Sequence, residues 1–359
     1  MSTYKLENSA VRIELGPDSL NQLPELLAQC GSKVLLVHGH RPVEDGLLVK
    51  VRLLLNQAGF PHANMGQILP NPKYGSVKRG IKTARKENCD IILSLGGGST
   101  LQCAKAIALG LHYKGDVWDF WTGKKKAANV CPIASILTNP ASGAELSQGC
   151  TIVRKGVQKT IHSPLLACRF AILDPKLSQY PFYPTMNQTF VLFLHLFFAW
   201  LEKPGAQKQE ALLLLKSLFA CLKQLEARIS DVGARTELYR VGLLSHSQID
   251  DVTLGFEKLS GALSFAFSLP EGSAASALFP AWCDRQNADV KEQIAALAAE
   301  LFGLENASYE QAMAAFKKAF TAMQMPLSLP EAGLEVSSRQ LGRIASSKSE
   351  KALLHAANQ

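Results

Sequence analysis

Apolar and polar positions along this chain follow two different rhythms. From residue 11 to about 175, short β-branched or aliphatic runs alternate with amphipathic stretches, a pattern that predicts a parallel sheet covered by helices. Val34 to Val37 reads as the first clear strand, followed by helices over about 45–58 and 75–87, a strand over 91–95, a glycine turn, and a helix from Ser99 to about Leu111. Residues 132–137 and 170–173 predict two more strands, each short, apolar and bounded by turn residues.

Beyond Pro181 and Pro184 the alternation stops, and Leu, Ala, Phe, Glu and Lys recur at helical spacing. The chain therefore divides near residue 183, into an α/β domain over 1–183 and an all-helical domain over 184–359. Phe190 to Leu201 is apolar at every position except His195, which predicts a helix buried on all sides. That segment falls well short of the ~20 residues a bilayer span needs, and no longer apolar run exists, so no membrane association is expected. A helix over about 250–267 carries Phe256, Leu259, Leu263 and Phe267 on one face and stops at Pro270, with Glu271-Gly272 opening the next.

Composition narrows the function classes. At 359 residues, 47% hydrophobic and 19% charged, both domains can bury a full core. The net charge of +8 is spread out, its longest run being Lys124-Lys125-Lys126, so a nucleic-acid partner is not expected and an anionic small molecule fits better. The eight cysteines stand far apart, with no C-x-x-C pair and several inside apolar runs, which suits buried thiols in a reducing compartment. The N-terminus carries no signal-peptide pattern, and a cytoplasmic location is expected.

The chemistry starts at Gly96-Gly97-Gly98-Ser99. A strand running through such a turn directly into a helix brings bare N–H groups and the positive helix end to one point, where an anion belongs. Glycine admits a diphosphate closely, and Ser99 can cap the helix and donate to a phosphate oxygen. Lys105, two turns on, reads as a solvated surface residue. No Gly-Lys-Ser/Thr follows the turn, and no G-x-G-x-x-G follows the earlier strand, which excludes the Walker and the usual dinucleotide fingerprints.

Several motifs together resemble the iron-containing, group III alcohol dehydrogenases, especially their butanol-dehydrogenase-like, NADP(H)-using branch. They are Pro70-Asn71-Pro72, the run DIILSLGGGSTLQCAK at 90–105, GDVWDF at 115–120, TNPASGAE at 138–145, His162-Ser163 and ILDPKL at 172–177. The resemblance implies the dehydroquinate-synthase-like fold, with an α/β nucleotide-binding domain and an all-helical domain. It implies a nicotinamide cofactor contacted by Asn71, Gly97, Gly98, Ser99, Thr138, Asn139, Ser142, Lys159 and Leu177, and a homodimer. Where an acid near the end of the second strand would select NAD(H), this chain has Gly39, with His40 and Arg41 beside it. Donors there meet a 2′-phosphate, so NADP(H) is expected over NAD(H).

The family holds a divalent metal with one Asp and three His. The matching positions here are Val191, His195, Glu257 and Glu271, the family's acid three residues after the turn serine is Gln102, and the family's H-x-x-E acid is Phe198. Valine binds no cation. The chain therefore either holds a divalent ion (iron, zinc or manganese) through His195, Glu257 and Glu271, with oxygen ligands disfavouring iron, or holds none. In the second case His195 is a hydrogen-bonded core histidine and the glutamates are ordinary acids near helix starts. Two functions remain open: an NAD(P)H-dependent oxidoreductase interconverting a small alcohol and aldehyde, and a nicotinamide-nucleotide-binding protein that has lost turnover and serves as a sensor or interaction module.

Overall fold

A computed structural model describes residues 11–139, 143–178, 181–249, 252–253, 255–337, 340, 344–345 and 347–358. Contacts divide the chain into two units, 1–179 and 180–359. All the described strands lie in the first. Its elements are β1 (Arg12–Leu15), α1 (Leu23–Ala28), β2 (Val34–His38), α2 (Arg41–Glu44), α3 (Leu47–Gln57), β3 (His62–Met65), α4 (Tyr74–Lys86), β4 (Ile91–Gly96), α5 (Gly98–Leu111), β5 (Ile133–Leu137), β6 (Gly149–Arg154), β7 (Val157–His162) and β8 (Phe170–Leu173).

Six strands form one parallel sheet in the order β1-β8-β5-β4-β2-β3. Its central strands are buried along their whole length, as expected when helices cover both faces. Val34, Leu36, Leu93, Leu95 and Ile136 point to one face, against Leu23 and Leu27 of α1 and Leu47, Val51 and Leu55 of α3. On α4 and α5 two glycines each seat the other helix's isoleucine: a Cβ at Gly80 would fall 2.2 Å from Ile107 Cδ1, and one at Gly110 2.3 Å from Ile81 Cδ1.

Strand β1, strand β3 and the antiparallel hairpin β6–β7 lie outside the pattern read from sequence. The β3 sequence His-Ala-Asn-Met is polar because it forms the half-exposed sheet edge. In the hairpin, Lys155 and Gly156 both take positive φ, 51° and 76°, the geometry of a tight primed turn. The helix expected over about 45–58 is α3, which starts at Leu47 behind Gly46 at φ 70°, and the short helix α2 precedes it.

The second unit contains α6 (Phe182–Glu202), α7 (Gly205–Ala227), α8 (Val232–Gln248), α9 (Glu257–Phe267), α10 (Glu271–Asp284), α11 (Ala288–Phe302), α12 (Tyr309–Ala322) and α13 (Lys348–Ala357). Side-chain caps fix several starts: Asp231 on Ala234 N at 2.9 Å, Asn287 on Val290 N at 3.0 Å, and a capping box between Ser308 and Gln311. Helix α6 is buried along most of its length, and its Phe190, Phe193 and Phe197 pack edge-on against Phe279, Phe316 and Phe320. Among the described residues no helix is long and apolar enough to cross a membrane.

Candidate functional site

The turn after β4 is built to leave backbone donors open. Gly96 has φ 148°, a conformation side-chain-bearing residues rarely adopt, and a Cβ there would lie 2.9 Å from Thr100 Oγ1. Gly97 occupies the N-cap of α5 with no side chain capping it, so Ser99 sits inside the first turn rather than at the cap where its sequence position suggested. The N–H groups of Thr100 and Leu101 turn back to the Gly97 carbonyl at 3.1 and 3.2 Å. Among the described residues no acceptor meets those of Gly98 and Ser99, and they stand at the positive end of a 14-residue helix.

Topology puts a crevice at this turn. From β2 the chain moves to β3 on one side, and from β4 it moves to β5 on the other, so the connecting helices leave on opposite faces at the β2/β4 switch point. Gly39 ends the β2 side. An added Cβ there would stand 3.4 Å from the Ile68 carbonyl oxygen and 3.7 Å from Thr100 Oγ1. From β5, Thr138 N donates to the Gly96 carbonyl at 3.0 Å, and the Cβ of Asn139 is the nearest atom to a side chain built on Gly97, at 3.4 Å. Gly39, Gly97, Gly98, Ser99, Thr138 and Asn139 therefore converge.

Asn71 holds φ 54°, a left-handed turn that Asn tolerates, while the Pro72 carbonyl beyond it accepts from Val153 N at 3.0 Å. Lys159 is exposed on β7, and Leu177 packs against the sheet core. Ser142 lies outside the described residues.

Two adjoining cavities flank the end of β2. One, of about 430 Å³, is lined by His38, Gly39, His40, Val43, Gly66, Gln67 and Arg79. The other, of about 640 Å³, shares His40, Gln67 and Arg79 with it and adds Lys73 and Ser76. Arg41 lines neither, its Nε donating to Asp45 one turn along at 2.9 Å. Arg79, on α4, carries no strand-end or glycine signal and was invisible to motif reading.

Lys105 corrects the sequence reading outright. It is fully buried, with Nζ donating to the carbonyls of Ala144 at 2.9 Å, of Gly149 at 3.4 Å, and of Ser147. Burial lowers its pKa, and burial pushes the carboxyl of nearby Glu145 up to about 7. Gln102, one turn before it, accepts from Thr151 N at 2.8 Å. The helix that opens with the glycine turn thus ties down the 144–151 segment by two side chains. The signal available in sequence was Lys105 spaced two turns from the turn, amid apolar residues.

In the helical unit, the family's ligand positions do not assemble into a donor set. His195, half-buried on α6, has Nε2 3.1 Å from the Ser245 carbonyl oxygen, a bond in which the imidazole must donate, and its ring lies 4.7 Å from that of His246. Glu257 and Glu271 open α9 and α10. Loss of hydration, then the nearby Glu257, raises the Glu271 carboxyl. Phe198 packs against Trp282 and Phe256 at 4.9 and 5.8 Å. Among the described residues no three His, Cys, Asp or Glu side chains lie close enough together to hold a metal ion, so His195, Glu257 and Glu271 are not brought into one donor set.

Fold and turn define a class: a doubly wound parallel α/β domain with an open helix start at its switch point, followed by a helical domain, as in dinucleotide-binding oxidoreductases. Residues 10–175 match the family model of iron-containing alcohol dehydrogenase. It is 27% identical over 346 residues to the NADH-dependent butanol dehydrogenase A of Clostridium acetobutylicum, covering 90% of this chain and 87% of that one. To the NADPH-dependent aldehyde reductase YqhD of Escherichia coli it is 32% identical over 182 residues, 49% of this chain and 46% of that one. The crystal structure of NADH-dependent butanol dehydrogenase A from Thermotoga maritima superposes with TM-score 0.88 at 20% identity, covering 99% of each chain, a likeness of fold.

Proposed function

We propose that this protein is a nicotinamide-dependent oxidoreductase that interconverts a small alcohol and its aldehyde, taking NADP(H) in preference to NAD(H). The observation that carries it is the open start of α5 at the switch point, where the N–H groups of Gly98 and Ser99 and the bare backbone of Gly97 leave room for a diphosphate. The activity follows the relatives, which include a butanol dehydrogenase and an aldehyde reductase. Relatives of both cofactor types occur, so the preference rests on this chain's own residues. Gly39 offers no carboxylate to a ribose 2′-hydroxyl or against a 2′-phosphate, and His40 beside it supplies a donor.

When bound, the nicotinamide supplies or accepts the hydride. The glycine turn fixes the diphosphate, and the Lys105 anchor holds the segment from Ala144 to Gly149 against the same helix. The test is a fluorescence titration with NADPH and NADH, followed by NADPH oxidation with a panel of short aldehydes. Tighter binding of NADPH with aldehyde-dependent turnover is expected. Binding with no turnover on any aldehyde would replace this reading with a nucleotide-binding role alone.

A further inference from the structure

We propose that Arg79, on α4 and outside the strand-end motif at 39–41, is the determinant that recognises the ribose 2′-phosphate, and that Arg41 is not. The inference rests on the NADP(H) preference argued above and names the group that supplies it. The two cavities at the end of β2 have His40, Gln67 and Arg79 in common, so Arg79 stands on the wall between them, across from Gly39. A 2′-phosphate carries close to two negative charges at neutral pH and three acceptor oxygens, which a planar guanidinium meets with paired donors.

The ion-pairing state of the two arginines separates them. Arg41 is held by Asp45 at the end of its own short helix, so using it on a phosphate means breaking that pair and placing Asp45 beside the anion. Arg79 is exposed, its Nη2 donating only to the Ser76 hydroxyl at 3.3 Å, and among the described residues no carboxylate pairs with it. Lys73, which lines the same cavity, adds positive charge without a carboxylate lining either wall. The groove is open to water, so its grip is that of a charge-assisted hydrogen bond in a solvated setting.

The experiment uses the full chain and three forms: wild type, Arg79→Gln and Arg41→Gln, each titrated with NADPH and with NADH by fluorescence. Because Arg79 is exposed, unchanged thermal midpoints are expected. Arg79→Gln is expected to weaken NADPH about tenfold with NADH changed less than about twofold, and Arg41→Gln to change neither beyond about twofold. If wild type prefers NADPH and Arg79→Gln leaves that preference intact, this assignment is overturned while the cofactor reading stands. If Arg41→Gln instead removes the preference, Arg41 is the determinant and the assignment again fails. If wild type binds NADH as tightly as NADPH, the cofactor reading fails first and takes the assignment with it.

Discussion

The α/β unit and the helical unit carry the two halves of the family's equipment in different materials. At the β2/β4 switch point the anion-binding capacity belongs to backbone N–H groups, and side chains act mainly by staying out of the way or by holding loops. At the family's metal positions everything depends on side-chain donors, and here Val191, the carbonyl-bonded His195, Glu257 and Glu271 occupy them. A site made of backbone survives substitution as long as glycine and the fold remain. A site made of four side chains is dismantled by three changes that leave the helices packed.

That contrast is broken most forcefully through Lys105, a buried side chain in the α/β unit on which backbone geometry depends. Lys105→Met keeps the stem and removes the donors, stranding the buried carbonyls of Ala144, Ser147 and Gly149. A loss of about 3 to 4 kcal/mol in urea unfolding is expected, with weakened NADPH binding in the folded fraction. A loss under about 1 kcal/mol would show that the segment is held by its packing alone.

Gly97→Asp tests the turn directly. Gly97 has an ordinary extended φ of −91°, so the aspartate fits the backbone and even suits an N-cap. It puts a carboxylate where the diphosphate belongs, and NADPH and NADH affinity are both expected to fall about a hundredfold, about 2.7 kcal/mol, with stability unchanged or raised. Retained affinity would place the cofactor elsewhere.

A third, smaller effect belongs to Glu145. Its carboxyl is raised from 4.5 to about 7 by burial, with the Lys105 charge opposing the rise. A raised acid contributes its stability fully below the unfolded value, and loses it as pH climbs through the folded one. Wild type should therefore lose about 2 kcal/mol between pH 4.5 and 7 relative to Glu145→Gln, allowing for relaxation around the ionised group. Parallel pH profiles for the two forms would refute the shift.

What could be read from sequence follows the same division. Strands β2, β4, β5 and β8 announced themselves as apolar runs, and the glycine turn as a strand breaking into a helix, because local sequence dictates both. Edge strand β3 was illegible because half of it faces water, and hairpin β6–β7 because its anchors, Gln102 and Pro72, are far away in sequence. Lys105 was misread for the same reason. A lysine's burial is decided by carbonyls some 40 residues onward, which no local pattern reports. Arg79 belongs to α4 and reaches the end of β2 only through the fold.

The smallest expected effect sharpens the comparison from the helical side. If His195 is a core histidine whose Nε2 donates to the Ser245 carbonyl, then His195→Gln, which can still offer an N–H from a flexible amide, costs about 1 kcal/mol. Added zinc or manganese should raise the thermal midpoint of neither form, since a ligand stabilises only a folded state that binds it. In contrast, Val191→Asp combined with Glu257→His and Glu271→His supplies the family's one carboxylate and three imidazoles, and its midpoint should climb with added metal. A metal-dependent rise in wild type that His195→Gln abolishes would mean that the side-chain site persists in a rearranged form, and the contrast between the two units would fail.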